Sequence, residues 1–271
     1  MLQTRVLTGI GLLLATLGVV FLLPVPFFHL VVAVLMLTGC REWARLGNLP
    51  TAAGWTLFAL QTAILAAMHY YWPLVAAHAA WILVPACLAW LLMFSRLMNF
   101  RDDAPVDSRY RTTVFLSALV SITACWFALC WLRGLDQGAW VVLLMLIIIA
   151  ASDVGAYFTG RSLGRTPLAS KISPKKTREG LYGGLALAVI VAFIWAWPVA
   201  HLPLDAPTII VATLLTAVVS VGGDLFISVH KRTVGLKDAG SIFPGHGGVL
   251  DRYDSVLAGA PFFALVIWLL Q

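Results

Sequence analysis

An all-α polytopic membrane protein is the fold class this sequence predicts, and three observations predict it. Of its 271 residues 61% are hydrophobic and 11% charged. An average soluble domain is about 25% charged, so the chain has too few charges to cover a water-facing surface of its size. Nine apolar runs, at 6–23, 27–46, 53–68, 72–94, 114–132, 139–158, 181–199, 208–227 and 255–270, approach the roughly 20 helical residues that a bilayer core of ~30 Å requires. Threading the chain through them leaves 17 of the 18 Lys and Arg residues on one side and Arg133 alone on the other. The positive-inside rule predicts that the richer side is the cytoplasm, which places the N-terminus inside and the C-terminus outside.

The first run follows Arg5 and has the look of a secretory signal. No small-residue cleavage site follows it, and Pro24 and Pro26 lead straight into more apolar sequence, so a retained first helix is expected. The second run carries Arg41 and Glu42 near its end. The third to fifth are nearly free of ionisable groups, and the segment 95–113, where Arg and Asp mix, reads as a solvated connector. Cys40, Cys87, Cys125 and Cys130 lie in or beside apolar runs without C-x-x-C spacing, which predicts packing residues and neither a disulfide nor zinc. The chain divides by composition into 1–138, about five spans, and 139–271, where polar residues and Gly crowd helix ends and the two cytoplasmic loops 161–178 and 229–252. No internal repeat, P-loop, H-E-x-x-H or G-x-S-x-G motif is present. Nothing in the pattern points to nucleic acid.

Three polar segments in the second region carry the chemistry. In the first, Asp153 sits inside the end of an apolar run, where a carboxylate is costly and needs a partner. Tyr157, four residues on, shares its face, and the two are expected to line a pocket open to the cytoplasm. The second segment, 171–180, holds Lys171, Lys175, Lys176 and Arg178 beside Ser173 and Thr177. Such a cluster suits nucleotide phosphates or an anionic lipid headgroup, while basic juxtamembrane runs are also the topology signal itself. In the third, Asp224, Ser228 and Lys231 fall at i, i+4 and i+7 on one helical face. The loop beyond contains Gly245, His246, Gly247 and Gly248, whose backbone amides can turn toward an anion. Asp251 and Asp254 then open the last helix. With Asp224 they offer hard oxygen ligands of the kind that hold Mg²⁺ together with substrate phosphates. These are the parts of a phosphoryl or nucleotidyl transfer site; the plainer alternative is that the carboxylates only pair with nearby Lys and Arg. His246 suits either a general acid or a loop-orienting role, and His230 is expected to be exposed. His29, His69, His78 and His201 are assigned no role.

The third segment resembles the signature of the phosphatidate cytidylyltransferase family, the CDP-diacylglycerol synthases. The family's Ser, Lys-Arg, Lys-Asp, His-Gly-Gly and Asp-Arg-x-Asp elements are matched by Ser228, Lys231-Arg232, Lys237-Asp238, His246-Gly247-Gly248 and Asp251-Arg252-x-Asp254. Asp153 with Tyr157, Ser173 to Thr177 before Glu179-Gly180, and Glu42-Trp43 also look like the family. Ile227, His230 and Tyr253 depart from it, Ile227 standing where a Glu is common. The resemblance implies a reaction of CTP with phosphatidate held in the bilayer, giving CDP-diacylglycerol and pyrophosphate with Mg²⁺ as cofactor. It implies Asp224 and Asp251 as metal ligands, with Asp254 and Asp153 as weaker candidates. Lys231, Arg232, Lys237 and Arg252 would hold phosphates, and Ser173, Lys175, Lys176 and Thr177 would close over the nucleotide, with Ser228, Gly247 and Gly248 lining its place. The catalytic set expected from it is Asp224, Asp251, Lys231, Arg252 and His246. It further implies a homodimer in the inner membrane of a bacterium, its site facing the cytoplasm. A CTP-dependent polyprenol or phytol kinase and a lipid transporter are the rival readings. A transporter is disfavoured because the polar groups gather at one face of the membrane instead of lining a path through it.

Overall fold

A computed structural model describes residues 2–98, 100 and 105–270, with side chains for 6–98, 100, 105–197 and 200–270. Arg101 and the side chain of Arg5, both counted in the charge distribution, lie outside the described residues. Helices run as α1 Leu2–Leu22, α2 Val25–Leu46, α3 Thr51–Tyr70, α4 Trp72–Ala77, α5 Ala80–Met98, α6 Ser108–Arg133 and α7 Gly138–Leu163. A hairpin of β1 Pro167–Ala169 and β2 Ser173–Thr177 follows, then α8 Arg178–Ile194, a π-helical turn Trp195–Val199, α9 Ala206–Thr233 and α10 Leu250–Leu270. Among the described residues eight helices are long and apolar enough to cross a membrane, and Val6–Leu22 is a shorter apolar helix. The protein is an all-α, multi-pass membrane protein.

The expected fourth span at 72–94 is corrected. The chain leaves helical geometry at His78 (φ −112°, ψ 37°), so that α4 is a short piece and α5 is the crossing helix. The His78 ring makes the break: its Nδ1 takes the Leu74 carbonyl at 2.9 Å, the oxygen that the backbone N–H of a continuing helix would claim. Hydropathy cannot see this, because the residues on both sides are apolar.

A large core runs through the bundle, with a small second cluster of Ile172, Val221, Leu225 and Val229 beside the hairpin. Trp43, Trp90, Trp126, Phe127, Phe226 and Phe263 are fully buried in the large core. Large apolar side chains such as Leu7, Leu14, Trp81 and Leu92 face outward, as a lipid-exposed surface requires. The four cysteines are free and buried, as packing residues would be. Arg133 closes the opposite end, donating to the carbonyls of Val20 at 2.8 Å and Leu23 at 3.1 Å.

Small residues let the site-bearing helices approach. A Cβ on Gly184 would fall against the Ser152 carbonyl, and one on Gly155 would come within 2.7 Å of the Gly183 carbonyl, so α7 and α8 meet nearly backbone to backbone. Likewise a Cβ on Gly223 would lie 2.7 Å from the Asp254 carbonyl, which sets α9 directly against α10. These two contacts bring Asp153, Asp224 and Asp254 to the same end of the bundle.

Candidate active site

Two helix ends and the hairpin build the site. Segment 171–180 folds as β2 and the first turn of α8, where Thr177 caps the helix: its Oγ1 accepts from Gly180 N at 3.1 Å. Glu179, in that first turn, accepts from the amides of Arg165 and Thr166 at 3.0–3.2 Å and so closes the hairpin. β2 thereby delivers Lys176 to α9, where its ammonium forms an ion pair with Asp224. The second and third polar segments, 48 positions apart at these two residues, thus meet in one charge pair.

Asp224 also accepts from Ser228 Oγ at 3.3 Å, one turn along α9. The helical face expected from the i, i+4 and i+7 spacing is formed, and Lys231 continues it. The Lys231 ammonium donates to Asp251 Oδ1 at 2.9 Å, with side-chain exposures of 13% and 4%. The second oxygen of Asp251 accepts from Gly248 N at 2.9 Å and Ala239 N at 2.8 Å. The glycine loop does turn its amides toward an anion, but this anion is a carboxylate of the chain itself. Gly247 fits the turn in two ways: its φ is +84°, and a Cβ there would lie 2.7 Å from Asp251 Oδ2. Both oxygens of Asp251 are therefore occupied by the loop and Lys231.

Asp254 stands one helical turn beyond Asp251, past a kink at Tyr253 (φ −131°, ψ 21°). Its Oδ1 accepts from Ser255 N at 2.8 Å, and among the described residues no cation reaches it within 4 Å. Asp224 acts electrostatically on both Asp153 and Asp254, and Lys176 acts on all three; with Asp251 on Lys231, four carboxylates share two ammonium groups, Lys176 and Lys231. An excess of hard oxygen donors over cations suits a divalent ion held by one or two carboxylates and completed by substrate phosphates. Among the described residues no three Asp, Glu, His or Cys side chains already stand at metal-holding distance.

A cavity of about 220 Å³ opens beside this cluster, lined by Asp153, Tyr157, Lys175, Lys176 and Thr177 with apolar neighbours Leu168, Leu181 and Val221. Asp153 and Tyr157 do share a pocket, as their spacing predicts, and the second segment forms its other wall. The Tyr157 hydroxyl accepts from Arg161 at 3.1 Å. Lys175, Arg232, Lys237 and Arg252 are exposed at the same end, and Ser173 is half-buried on β2. His246 does not reach Asp224, Asp251 or Lys231; its ring stands against α1 near Gly9.

Two residues were placed differently, or missed, by the sequence. His230 is fully buried instead of exposed, because Tyr110 and Phe226 enclose it; Tyr110 Oη lies 3.1 Å from its Nδ1 and 3.0 Å from the Leu46 carbonyl. Glu42, noted only with its neighbours Arg41 and Trp43, is buried against the signature loop and accepts from the amides of Val249 and Leu250. It stands four residues before the end of α2, between Arg41 and Arg45, and a carboxylate that far inside an apolar run is the sequence signal of a group that needs partners elsewhere. Ile227 is fully buried in the apolar core, and the Tyr253 hydroxyl donates to the Leu35 carbonyl on α2.

Comparison with known proteins places the chain in a family. The cytidylyltransferase family model matches residues 3–270. The phosphatidate cytidylyltransferase of Pseudomonas aeruginosa is 32% identical over 268 residues, covering 99% of this chain and 97% of that protein. Proteins of the same name from Bacillus subtilis and Haemophilus influenzae are 40% and 43% identical over 151 and 131 residues, covering 55% and 47% of this chain and 56% and 46% of their own.

Proposed function

The chain belongs to the cytidylyltransferase family, and from that premise we propose that it joins CTP to phosphatidate, forming CDP-diacylglycerol and pyrophosphate. A phosphate oxygen of the lipid attacks the α-phosphorus of CTP. The new P–O–P linkage forms as the bond to the bridging oxygen of the β-phosphate breaks, and that electron pair leaves with pyrophosphate. One phosphoanhydride is lost and one gained, so the step is close to balance and removal of pyrophosphate pulls it forward.

The lipid phosphate is already an anion near neutral pH, so the reaction asks little of a general base. Its difficulty is that two polyanions must meet, and fixed cations at the meeting point relieve it. Lys176, paired with Asp224, and Lys231, paired with Asp251, supply that charge, with Lys175, Arg232, Lys237 and Arg252 exposed at the same end and Thr177 fixing the β2–α8 corner. Asp251 holds Lys231 and the glycine loop in place. Mg²⁺, held by Asp224 and Asp254 with Asp153 nearby, would supply Lewis-acid neutralisation of the triphosphate. The acyl chains remain in the bilayer while the headgroup reaches the cavity at the helix ends.

The 17-to-1 distribution of basic residues supports an N-terminus and a site on the cytoplasmic side, where CTP is found, in the inner membrane of a bacterium. A homodimer completes the proposal. The observation that carries the function is the similarity over the whole chain to a relative of the same length, with Lys176 and Asp224 brought together from separate signature segments. The test is purified protein given phosphatidate, Mg²⁺ and CTP labelled with ³²P at the α-phosphate and with tritium in the cytidine. A lipid product carrying both labels is expected; transfer of γ-phosphate alone would indicate a lipid-alcohol kinase, and no labelled lipid would refute the activity.

A further inference from the structure

Glu42 lies near the end of α2, more than 200 residues from the signature loop in sequence, yet it is 5% exposed because that loop covers it. Its Oε1 accepts from Val249 N at 3.0 Å and its Oε2 from Leu250 N at 2.7 Å. Leu250 N is the first amide of α10 and Val249 N the one just before it, and neither has a partner inside the helix. Val249, the residue before that helix, has no side-chain oxygen to cap it, and Glu42 does so from another helix. The loop is shaped around this carboxylate: a methyl group on Gly240 or on Gly248 would fall onto it. Among the described residues no Lys or Arg reaches Glu42 within 4 Å, so the backbone amides and the positive end of α10, with Arg45 acting at longer range, balance its charge.

We propose that Glu42 is a positioning residue for cytidylyl transfer, acting through the α10 N-terminus on Asp251 and Lys231. The inference rests on the proposed function. The amides it holds immediately precede Asp251, whose oxygens take Gly248 N, Ala239 N and the Lys231 ammonium. Lys231 in turn acts on Asp224. Rotating the 249–250 backbone therefore shifts Asp251 and, through it, the ammonium beside the reacting phosphates. The residues that touch substrate come from the C-terminal region, and Glu42 ties the N-terminal helices to them.

Glu42→Gln keeps the shape and one acceptor oxygen but turns an N–H₂ toward an amide; Glu42→Asp keeps the charge and withdraws it by one methylene. Two readouts apply to the intact protein in detergent micelles or vesicles. Amide hydrogen exchange in peptides covering 239–252 is expected to rise by at least ~10-fold in Glu42→Gln, with exchange elsewhere in the bundle unchanged. kcat is expected to fall by ~10–100-fold while KM for CTP and phosphatidate stays within ~3-fold, and Glu42→Asp should fall between wild type and Glu42→Gln. Unchanged exchange, an unchanged kcat, or loss of folding in both variants would overturn the positioning role. Faster exchange in a protein whose wild type makes no CDP-diacylglycerol would uphold the clamp and overturn the reaction assigned to it.

Discussion

Asp224→Asn and Asp251→Asn should both abolish most activity, yet only the second should destabilise the fold. Asp251 answers three donors, the Lys231 ammonium and the amides of Ala239 and Gly248, at 2.8–2.9 Å in a site where its side chain is 4% exposed. An asparagine has one acceptor oxygen, so it can serve either the ammonium or the amides. Stranding buried amides costs ~1–3 kcal/mol each, and breaking a buried ion pair ~3–5 kcal/mol. Taking the less costly arrangement gives about 2–5 kcal/mol, roughly 5–15 °C of Tm for a chain of this size. Asp224 differs, because it and Lys176 are 28% and 27% exposed and water can solvate the freed ammonium; its loss should cost under ~1 kcal/mol. Activity should fall at least ~10²-fold in both, since each removes charge organisation from the reacting centre. Thermal unfolding in detergent can be followed with a thiol-reactive dye, because Cys40, Cys87, Cys125 and Cys130 are free and buried and become reactive only as the bundle opens. Equal Tm for the two variants, or wild-type Tm for Asp251→Asn, would refute the reasoning.

Further outcomes follow from other contacts. Gly184→Leu on α8 should push that helix from α7, where the Ser152 carbonyl leaves no room for a Cβ, and is expected to cost about 1–3 kcal/mol with loss of activity; a wild-type Tm and rate would contradict the close packing. Lys176→Met should lower kcat/KM by ~10²-fold or more with little change in Tm, and Lys176→Arg should recover only part of it, because a planar guanidinium does not replace a compact ammonium beside Asp224. Chelating divalent cations with EDTA should abolish turnover and added Mg²⁺ should restore it; turnover that survives chelation would remove the metal from the proposal.

The periodic parts of this architecture were legible, and so was the helical face of Asp224, Ser228 and Lys231, because 3.6-residue spacing determines it. The pairing of Lys176 with Asp224 was not, since it depends on a hairpin too short to announce itself: β2 contains Pro174 and two lysines, a poor strand by propensity that forms because Glu179 and Thr177 pin its corner. His230 looked exposed because Lys231 and Arg232 follow it; its burial comes from Tyr110 on α6, a contact 120 positions away. Glu42 is the sharpest case. A lone carboxylate near a span end carries no local sign of its partners, and the amides it holds are invisible to any reading of side chains.

The central claim, that the Lys176–Asp224 and Lys231–Asp251 pairs frame a site where CTP meets a lipid phosphate, is tested most directly by the doubly labelled CTP assay on purified wild type and Asp224→Asn. The account predicts a lipid carrying both α-phosphate and cytidine label from wild type, with at least ~10²-fold less from the variant at unchanged Tm. Wild-type product levels from Asp224→Asn, or a lipid labelled without cytidine, would contradict it.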